Sequence, residues 1–388
     1  MQNEITVESE EKNKLLKELE KRTDFEAARL KRYLSMPDLS RKKGSPIHEI
    51  VKRILAIRDF KDFDIINCPE IVPVKESFDL FNFPPDHPAR SKSDTYYLSD
   101  DFILRTHTTI MWYYYLTRSE IQERVKKGEP MGLLSYGKVY RKDEIDRNHM
   151  NVFHQMDGLY ICKREEQIIG AEELKNVLVK IAQAIFGPDI KYRFNKDTFP
   201  YTDPSLEMEI EVKSPSTTLG TSRWVEVLGS GVAHSKVLEN LGVDPKIYNG
   251  WAFGFGLERL AIISMNLPDI RLLWSEDERV TRQLKLGQEY QEVSKFPPIT
   301  RDISFVVDKS FVPNNYFDLI REVGGDIVEE VALLDKYENE EKFGEGKLSY
   351  TYRIIYRSNE RTLTIEEIEP IQSEIENQTK LQFKADIR

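Results

Sequence analysis

Groups that could bind a phosphorylated ligand are concentrated in one segment of the chain, GKVYRKDEIDRNHMNVFHQMDGL. Because side chains alternate along a strand, Arg141 and Asp143 are predicted on one face of a first strand, and Phe153, Gln155 and Asp157 on one face of a second. A guanidinium can hold a phosphate through two hydrogen bonds, and an aromatic ring can stack on a base. We interpret the segment as a hairpin that directs these groups into one cleft. The alternative is a charged surface hairpin with an incidental aromatic ring.

A second candidate is the segment GWAFGFGLERLA, in which a glycine-rich strand runs into a helix. Glycines at 250, 254 and 256 would allow a ligand to come close to the strand backbone. Arg259 falls in the first helical turn, where its charge opposes the helix dipole, so its presence favours an anionic ligand. The alternative is a glycine-rich strand that packs on a helix while Arg259 forms a salt bridge.

A third candidate combines the segments FPYTDPSLEM and LRTHTT. Phe199 and Tyr201 stand on a proline-stiffened loop and would form an apolar pocket. His107 and the neighbouring threonines could supply hydrogen bonds at its polar rim. The alternative is that both rings belong only to the hydrophobic core.

These residues must be positioned by the long middle section of the chain, which we predict to be a mostly antiparallel sheet flanked by helices. Strand-like runs follow one another closely and do not alternate regularly with helices, which disfavours a doubly wound parallel sheet. The predicted helices are His48–Ile57 and Glu172–Ile185. The predicted strands are Asp101–Thr106, Leu133–Arg141, Gly158–Cys162, Leu206–Lys213 and Arg223–Leu228. The sequence contains neither of the two common nucleotide-binding glycine loops, G-x-G-x-x-G after a strand or G-x-x-x-x-G-K-[ST].

Distinct segments flank this section. Residues 10–34 read as one solvated amphipathic helix, and the prolines and glycine of PDLSRKKGSP then end it. Beyond the break KFPPIT, the pattern of strands and helices reads β-α-β-β-α-β, which is the ferredoxin-like arrangement. We therefore predict an α+β chain with an N-terminal helix (1–36), a catalytic body (37–291) and a ferredoxin-like domain (292–388).

The composition excludes several classes of protein. The chain has 388 residues, of which 40% are hydrophobic and 31% charged, as is typical of globular enzymes of two or three domains. No apolar run approaches the length of about 18 residues that a membrane helix needs, so we expect no membrane association. The 56 basic residues against 66 acidic ones give a net charge of −10, which excludes a generally basic nucleic-acid-binding surface.

The two cysteines, Cys68 and Cys162, are far apart in the sequence, so neither a disulfide framework nor a cysteine-based zinc site is supported. The N-terminal segment alternates acidic and basic residues and lacks the pattern of a signal or transit peptide. We therefore expect a cytoplasmic location.

Taken together, the motifs resemble those of the class II aminoacyl-tRNA synthetases, with the arginine-bearing hairpin as motif 2 and GFGLERLA as motif 3. In finer detail HPAR, LRTHT, VYRKDEID, FHQ, FPYTDPS and WAFGFGLERLA are similar, in order and spacing, to the phenylalanyl-tRNA synthetase family. The C-terminal segment resembles the anticodon-binding domain of that family. Its place on the same chain is the arrangement of the single-chain, mitochondrial-type enzymes. The resemblance covers about residues 37–388.

The resemblance implies ligation of L-phenylalanine to tRNA(Phe), with ATP and Mg²⁺, through a phenylalanyl-adenylate. Arg141 and Arg259 would be the catalytic residues that hold the phosphates. The other implied ATP-binding residues are Asp143, His149, Phe153 and Glu226. The implied Mg²⁺ ligands are Glu207 and Glu226. The implied phenylalanine-binding residues are His107, Thr109, Gln155, Asp157, Phe199, Tyr201, Ala252 and Gly254.

Three positions depart from the usual pattern of the family, with Thr109 for Ser, Asp157 for Glu and Tyr201 for Phe. The added methyl at Thr109 and the shorter side chain at Asp157 could compensate if the two face each other. Tyr201 places a hydroxyl beside the ring pocket. Two alternatives therefore stay open: a paralogue that activates another aromatic amino acid, and a catalytically silent RNA-binding paralogue.

The C-terminal domain has an unusual charge for an RNA-binding domain. Residues 296–388 contain 12 Lys and Arg against 19 Asp and Glu, a net charge of −7. Basic contacts with tRNA must therefore be local, and Arg353, Arg357 and Arg361 are the nearest to a patch. The alternative is that these are scattered surface arginines. We also expect that the enzyme could act as a monomer.

Overall fold

The computed structural model describes residues 3–213, 222–292, 296–358 and 360–388. Its strands, numbered in chain order, are β1 (Glu4–Thr6), β2 (Asp64–Asn67), β3 (Ile71–Pro73), β4 (Phe102–Leu104), β5 (Met131–Tyr140), β6 (Val152–Lys163), β7 (Tyr192–Phe199), β8 (Thr202–Lys213), β9 (Ser222–Ala233), β10 (Tyr248–Gly256), β11 (Ile299–Asp308), β12 (Val328–Tyr337), β13 (Lys347–Tyr356) and β14 (Asp386–Ile387).

The α-helices, numbered in the same way, are α1 (Glu10–Lys21), α2 (Phe25–Ser35), α3 (Pro46–Leu55), α4 (Val74–Phe78), α5 (Met111–Leu116), α6 (Ser119–Lys127), α7 (Ala171–Phe186), α8 (Ser235–Asn240), α9 (Leu257–Met265), α10 (Glu278–Thr281), α11 (Pro313–Gly324), α12 (Glu340–Phe343) and α13 (Ile365–Phe383). Short 3-10 turns lie at Arg58–Phe60, Asp79–Phe81, Pro88–Arg90, Thr108–Ile110, Ile270–Trp274 and Gly325–Ile327.

The catalytic body is built on an eight-stranded sheet in the order β1-β2-β5-β6-β10-β9-β8-β7, whose edge strand β1 comes from the N-terminal segment 1–36. β1 and β5 run parallel to β2, and the other neighbouring strands are antiparallel. This arrangement confirms the predicted antiparallel sheet flanked by helices. Several strands are longer than predicted, because β6 begins at Val152 and β9 continues to Ala233. The strand predicted at 101–106 covers only Phe102–Leu104.

Helices α3, α7 and α9 cover one face of this sheet. In α7 the buried side chains recur at helical spacing, which is why the segment forms a helix and turns that side toward the sheet. They are Leu174, Val177, Leu178, Ile181, Ala182 and Ile185. A second hydrophobic cluster, which includes Trp112 of α5 and Val237 of α8, lies on the side of the functional site.

The C-terminal part is a four-stranded antiparallel sheet in the order β12-β13-β11-β14, with α11 and α13 packed together on it. This order confirms the predicted ferredoxin-like domain. The terminal strand is shorter than predicted, since α13 continues through Phe383 and β14 covers only Asp386–Ile387.

The prediction of one helix over residues 10–34 is wrong, because the structure has two. The carboxylate of Asp24 accepts the backbone N–H of Ala27 and caps the start of α2, and it also binds the Arg22 guanidinium at the end of α1. Leu30 and Tyr33 of α2 are buried, so this helix packs against the body of the molecule and is not a solvated arm.

Within the described residues, no helix is long and apolar enough to cross a membrane.

Candidate active site

A cavity of about 740 Å³ opens over strands β6, β9 and β10, within the usual size range for small-molecule sites. Every residue predicted to bind ATP or the amino acid lines it: His107, Thr109, Arg141, Asp143, His149, Phe153, Gln155, Asp157, Phe199, Tyr201, Glu226, Ala252, Gly254 and Arg259. The structure therefore brings the three sequence segments together in one site.

The prediction that Arg141 and Asp143 lie on one face of a strand is wrong, because β5 ends at Tyr140 and both residues lie in the loop after it. Arg141 lies beside Phe153 of β6. Its Nε donates to the carbonyl of Thr106 at 3.0 Å, and its guanidinium carbon lies 5.3 Å from the centre of the Phe153 ring. Burial lowers the pKa of Arg141 from its usual value, although the nearby carboxylate of Asp143 opposes this effect. The guanidinium is thus held in place next to a flat aromatic face, as a site for a nucleotide requires.

The second arginine, Arg259, approaches the cavity from the first turn of α9. Its side chain is half exposed, and its Nη1 lies 3.6 Å from a carboxylate oxygen of Glu226 and 3.3 Å from the Glu226 carbonyl oxygen. An exposed pair of this kind contributes little to stability. The guanidinium therefore remains available for an anionic ligand in the cavity.

His149 lies at the rim of the cavity, in the loop between β5 and β6. Its Nδ1 is 2.8 Å from a carboxylate oxygen of Asp146. This hydrogen bond raises the pKa of His149 above its usual value, which favours the cationic form near anionic ligands.

Gly254 of β10 stands directly opposite Asp157 of β6. A Cβ atom at residue 254 would lie 2.8 Å from Oδ1 of Asp157. A glycine is therefore required at this position if the carboxylate is to keep its place in the cavity.

Asp157 is 4% exposed and accepts hydrogen bonds from the hydroxyls of Thr108 and Thr109, the latter at 2.7 Å. Burial raises the pKa of Asp157 to about 6, although both hydrogen bonds oppose this effect. The two departures at Thr109 and Asp157 do face each other. The result is a buried carboxylate fixed by two hydroxyls, which suits an ammonium group.

His107 is buried and stacks on Phe83, with ring centres 5.7 Å apart and planes at 6°. Burial, with smaller effects from Arg141 and Arg105, lowers the pKa of His107 to about 3, so the ring is neutral at pH 7. Neither ring nitrogen has a hydrogen-bond partner among the described residues. Buried polar atoms of this kind normally have partners, so their presence at the cavity indicates a ligand.

Gln155 contributes an amide whose oxygen accepts the backbone N–H of Thr108 at 3.3 Å. This hydrogen bond fixes the orientation of the amide. Because Gln155 and Asp157 lie on the same face of β6, their groups lie side by side in the cavity.

Several of the side chains that line the cavity are aromatic. Phe199 and Tyr201 stack with ring centres 5.9 Å apart, and Phe83 and Trp112 contact Tyr201 at 6.0 Å and 6.3 Å. Phe83 and Trp112 were not predicted as site residues. Phe83 precedes the proline pair of FNFPPDH, and Trp112 lies just after LRTHTT, so their positions next to motif segments were the available signal.

The two carboxylates predicted to bind Mg²⁺ lie on neighbouring strands, Glu207 on β8 and Glu226 on β9. Glu226 lines the cavity, whereas the described lining does not include Glu207, which accepts a hydrogen bond from Asn195 at 2.9 Å. Burial and the charge of Glu207 raise the pKa of Glu226, although Arg259 opposes this effect. Among the described residues, no group of three or more His, Cys, Asp or Glu could hold a metal ion alone.

The three arginines predicted to bind tRNA lie in or just after β13, and each binds a carboxylate of its own domain. Arg353 binds Asp302, Arg357 binds Glu329, and Arg361 binds Glu367, at distances of 2.6–2.9 Å. Contact with tRNA would exchange these carboxylates for phosphates. The tRNA-binding role of these arginines stays a prediction.

Comparison with known proteins identifies the family of the two domains. Residues 32–284 match the family of tRNA synthetases class II core domain (F), and residues 294–388 match the ferredoxin-fold anticodon binding domain. A phenylalanine–tRNA ligase of Arabidopsis thaliana, named chloroplastic/mitochondrial, is 37% identical over 86% of this chain and 76% of its own length. The mitochondrial phenylalanine–tRNA ligase of Mus musculus is 35% identical over 77% of this chain and 70% of its own. An alpha subunit from Caldicellulosiruptor bescii is 40% identical over 58% of this chain and 63% of its own.

The expected cytoplasmic location is contradicted by these comparisons. Four relatives that match more than three quarters of this chain, including those of Drosophila melanogaster and Dictyostelium discoideum, are named mitochondrial or chloroplastic/mitochondrial. These names assign the relatives to organelles, so the expectation of a cytoplasmic location for this chain does not stand. With the class II core and the anticodon-binding fold on one chain, this protein belongs to the phenylalanine–tRNA ligase family of class II aminoacyl-tRNA synthetases.

Proposed function

We propose that the cavity binds ATP at its arginine-bearing end and phenylalanine at its aromatic end, and that phenylalanine is then passed to tRNA(Phe). One observation carries this proposal. Arg141 and Arg259 reach one cavity from two elements, and a buried carboxylate and a group of aromatic side chains line the same cavity.

At the nucleotide end, Phe153 would stack on the adenine ring, and Arg141 and Arg259 would hold phosphate oxygens. The guanidiniums match phosphate geometry through paired hydrogen bonds. His149 would lie near the pyrophosphate, and Asp143 and Glu226 would line the same end. Arg141 is already fixed by Thr106 and Phe153, so little reorganisation is needed when ATP binds.

At the amino-acid end, Asp157 would bind the substrate ammonium, with Thr109 fixing the carboxylate. His107 and Gln155 would orient the substrate carboxylate toward the nucleotide. Phe199, Tyr201, Ala252 and Gly254 would surround the ring. Each of these groups lines the cavity.

In the first step, a carboxylate oxygen of phenylalanine attacks the α-phosphorus of ATP. A bond between carboxylate oxygen and phosphorus forms, the bond to the bridging oxygen breaks, and pyrophosphate leaves. The carboxylate is already ionised at pH 7, so no strong general base is needed. Catalysis then depends on the alignment of the two substrates and on the arginines that neutralise developing charge.

In the second step, a hydroxyl of the terminal ribose of tRNA attacks the carbonyl carbon of the adenylate. An ester bond forms, AMP leaves with the electron pair of the broken anhydride bond, and the hydroxyl proton is released. Residues 292–388 would bind the anticodon end of tRNA, and Arg353, Arg357 and Arg361 are the proposed contacts. We thus divide the chain into three domains, which are the N-terminal segment (1–36), the catalytic body (37–291) and this tRNA-binding domain (292–388).

Glu226 and Glu207 would hold Mg²⁺, directly or through water. The ion prefers carboxylate and phosphate oxygens, and one or two protein carboxylates usually suffice when phosphates complete the set. The pKa of Glu226 is raised first by burial and then by the neighbouring carboxylate of Glu207, and a bound cation would offset both effects. When bound, Mg²⁺ would neutralise phosphate charge.

ATP–pyrophosphate exchange with each of the twenty amino acids tests the proposal. We expect exchange with phenylalanine and weaker exchange with tyrosine, because an apolar pocket discriminates by only about a hundredfold against an added hydroxyl. Stronger exchange with another aromatic amino acid would favour the paralogue. No exchange with any amino acid would favour the silent RNA-binding alternative. Light scattering at assay concentration would test the expected monomer.

A further inference from the structure

The loop between β5 and β6, residues 141–151, carries much of the nucleotide end of the cavity but has no sheet partners of its own. Arg141, Asp143 and His149 lie on it, and each lines the cavity. Backbone groups of a loop must find hydrogen-bond partners outside regular secondary structure. The partners of this loop determine the shape of the ATP site.

Four consecutive carbonyls of the loop accept hydrogen bonds from the C-terminal domain. Asn314 Nδ2 donates to residue 142 at 2.6 Å, and the Arg321 guanidinium donates to residue 143 at 3.4 Å and to residue 144 at 2.8 Å. The backbone N–H of Val331 donates to residue 145 at 3.2 Å. These donors come from α11 and β12, which lie more than 170 residues further along the chain.

Side chains of the loop reinforce this contact. Ile145 is 4% exposed and packs into the hydrophobic core of the C-terminal domain. Lys142 Nζ donates to Asn315 Oδ1 at 2.9 Å, and Arg147 binds Glu329 at 2.5 Å. Asn314 itself lines the cavity.

The amino-acid end is held differently. Asp157 and Gln155 lie on β6, which pairs with β5 and β10 along its length, and Asp157 is fixed by Thr109. The sheet and the 3-10 turn therefore hold this end. A change in the contact between the loop and the C-terminal domain should therefore weaken ATP binding more than phenylalanine binding.

We infer that the C-terminal domain is part of the ATP site, with Arg321 as a positioning residue that holds loop 141–151 in the shape that binds ATP. This inference rests on the proposed function of the cavity. Arg321 does not touch the substrate in this arrangement, since it acts through the carbonyls of residues 143 and 144. Amino-acid activation thus depends on a domain that carries none of the reacting groups.

The test is ATP–pyrophosphate exchange with full-length Arg321→Ala. We expect the KM for ATP to rise about fivefold or more, because two charged hydrogen-bond donors to the loop are lost. The KM for phenylalanine should stay within about twofold of the parent. Arg321→Lys, which can donate to only part of the loop, should give an intermediate KM for ATP.

Arg301→Ala is the matched control, because Arg301 also donates to a carbonyl, that of Thr300 at 3.1 Å, but within its own domain. It should leave both KM values unchanged. Asn314→Ala should raise the KM for ATP in the same direction as Arg321→Ala. If Arg321→Ala does not yield folded protein, the KM for ATP of Asn314→Ala tests whether the C-terminal domain supports the ATP site.

An unchanged KM for ATP in these variants would overturn the inference, as would equal rises of both KM values, which indicate a general loss of structure. Equilibrium ATP binding, measured by calorimetry, separates this inference from the proposed function. A parent protein that binds ATP without exchanging pyrophosphate would refute the proposed function. The Kd for ATP of Arg321→Ala would still decide the inference in that case.

Discussion

At the scale of single residues, Arg259 is the clearest case of a side chain placed for a ligand. It lies in the first turn of α9, where the helix dipole disfavours a cation, and it is half exposed beside Glu226. We expect Arg259→Ala to lower the rate of ATP–pyrophosphate exchange by about a hundredfold or more, because a preorganised group that stabilises transition-state charge is lost. Thermal unfolding should change little, because an exposed pair contributes little stability.

Arg279→Ala provides the control for Arg259→Ala. Arg279 is also an exposed arginine near the start of a helix, and it binds Asp277. Its removal should leave exchange unchanged. Exchange by Arg259→Ala within about tenfold of the parent would contradict the proposed role of Arg259.

The second prediction at this scale concerns pH. The pKa of Asp157 is raised to about 6, and only the ionised carboxylate binds an ammonium well. The KM for phenylalanine should therefore rise about tenfold as the pH falls from 7 to 5. Asp157→Asn should show a high KM that changes little over this range, and a flat KM in the parent would refute the assignment.

The effect of pH on stability through Asp157 is opposite in sign to its effect on phenylalanine binding. Its folded pKa lies above the usual unfolded value of about 3.9, so the folded state binds more protons between about pH 4 and pH 6. The contribution of Asp157 to stability therefore decreases as the pH rises through this window. Substrate affinity and this part of the stability should move in opposite directions with pH.

Most residues that line the candidate site lie in motif segments that the sequence analysis singled out. Thr108 was among the threonines expected to supply hydrogen bonds, but only Thr109 was implied at the ammonium site by the resemblance. The 3-10 turn Thr108–Ile110 directs both hydroxyls to Asp157. That geometry depends on the turn, which the sequence did not indicate.

At the scale of elements, a buried pair joins β6 to α9. Glu258 accepts the backbone N–H of His154 at 2.9 Å and binds its Nδ1 at 2.6 Å, and both side chains are buried. Burial alone would lower the pKa of His154, but Glu258 and Asp38 raise it to about 9. The pair fixes the strand that carries Phe153 and Gln155 relative to the helix that carries Arg259.

We expect Glu258→Ala to lower the free energy of unfolding by about 3 kcal/mol, because the buried groups of His154 lose their acceptor. In the parent, the stabilisation from protonated His154 is fully present below about pH 6.5 and is lost as the pH rises through about 9. Urea unfolding at several pH values measures both effects. Glu278→Ala, at an exposed glutamate in the first turn of α10, should change neither. A loss below about 1 kcal/mol in Glu258→Ala would contradict the coupling.

The elements themselves were predictable where their cause is local. The hydrophobic spacing of α7 is present in the sequence, and the structure confirms that helix. The strands β5 and β6 also form where strands were predicted, but β5 is buried on both faces, so alternation is not what marks it. The separation of α1 from α2 also has a local cause, since Asp24 caps the start of α2. The sequence did not reveal it, because charged residues on both sides of Asp24 continue the pattern of a solvated helix. The partners of loop 141–151 could not be predicted, because their donors lie more than 170 residues away.

At the scale of the whole molecule, Asp318 of α11 joins three parts of the chain. It is completely buried and accepts hydrogen bonds from Tyr33 at 3.0 Å, Tyr96 at 2.7 Å and Asn151 at 2.9 Å. Arg29 Nε lies 3.5 Å from its second carboxylate oxygen. Tyr33 and Arg29 belong to α2, Tyr96 and Asn151 to the catalytic body, and Asp318 to the C-terminal domain. One carboxylate therefore connects the N-terminal helices, the catalytic body and the tail.

The last prediction is that Asp318→Ala lowers the free energy of unfolding by about 3–5 kcal/mol, measured by urea denaturation, because three buried donors lose their shared acceptor. The buried Arg29 also loses one of its two carboxylate partners and keeps only Glu322. Asp318→Asn should cost less, since its amide oxygen can still accept part of these hydrogen bonds. Asp326→Ala, at an exposed position just after α11, is the control and should have little effect. If Asp318→Ala unfolds at the same urea concentration as the Asp326→Ala variant, the cluster does not hold the three parts together. A loss of stability together with a raised KM for ATP would show that the same docking surface supports both the fold and the nucleotide site.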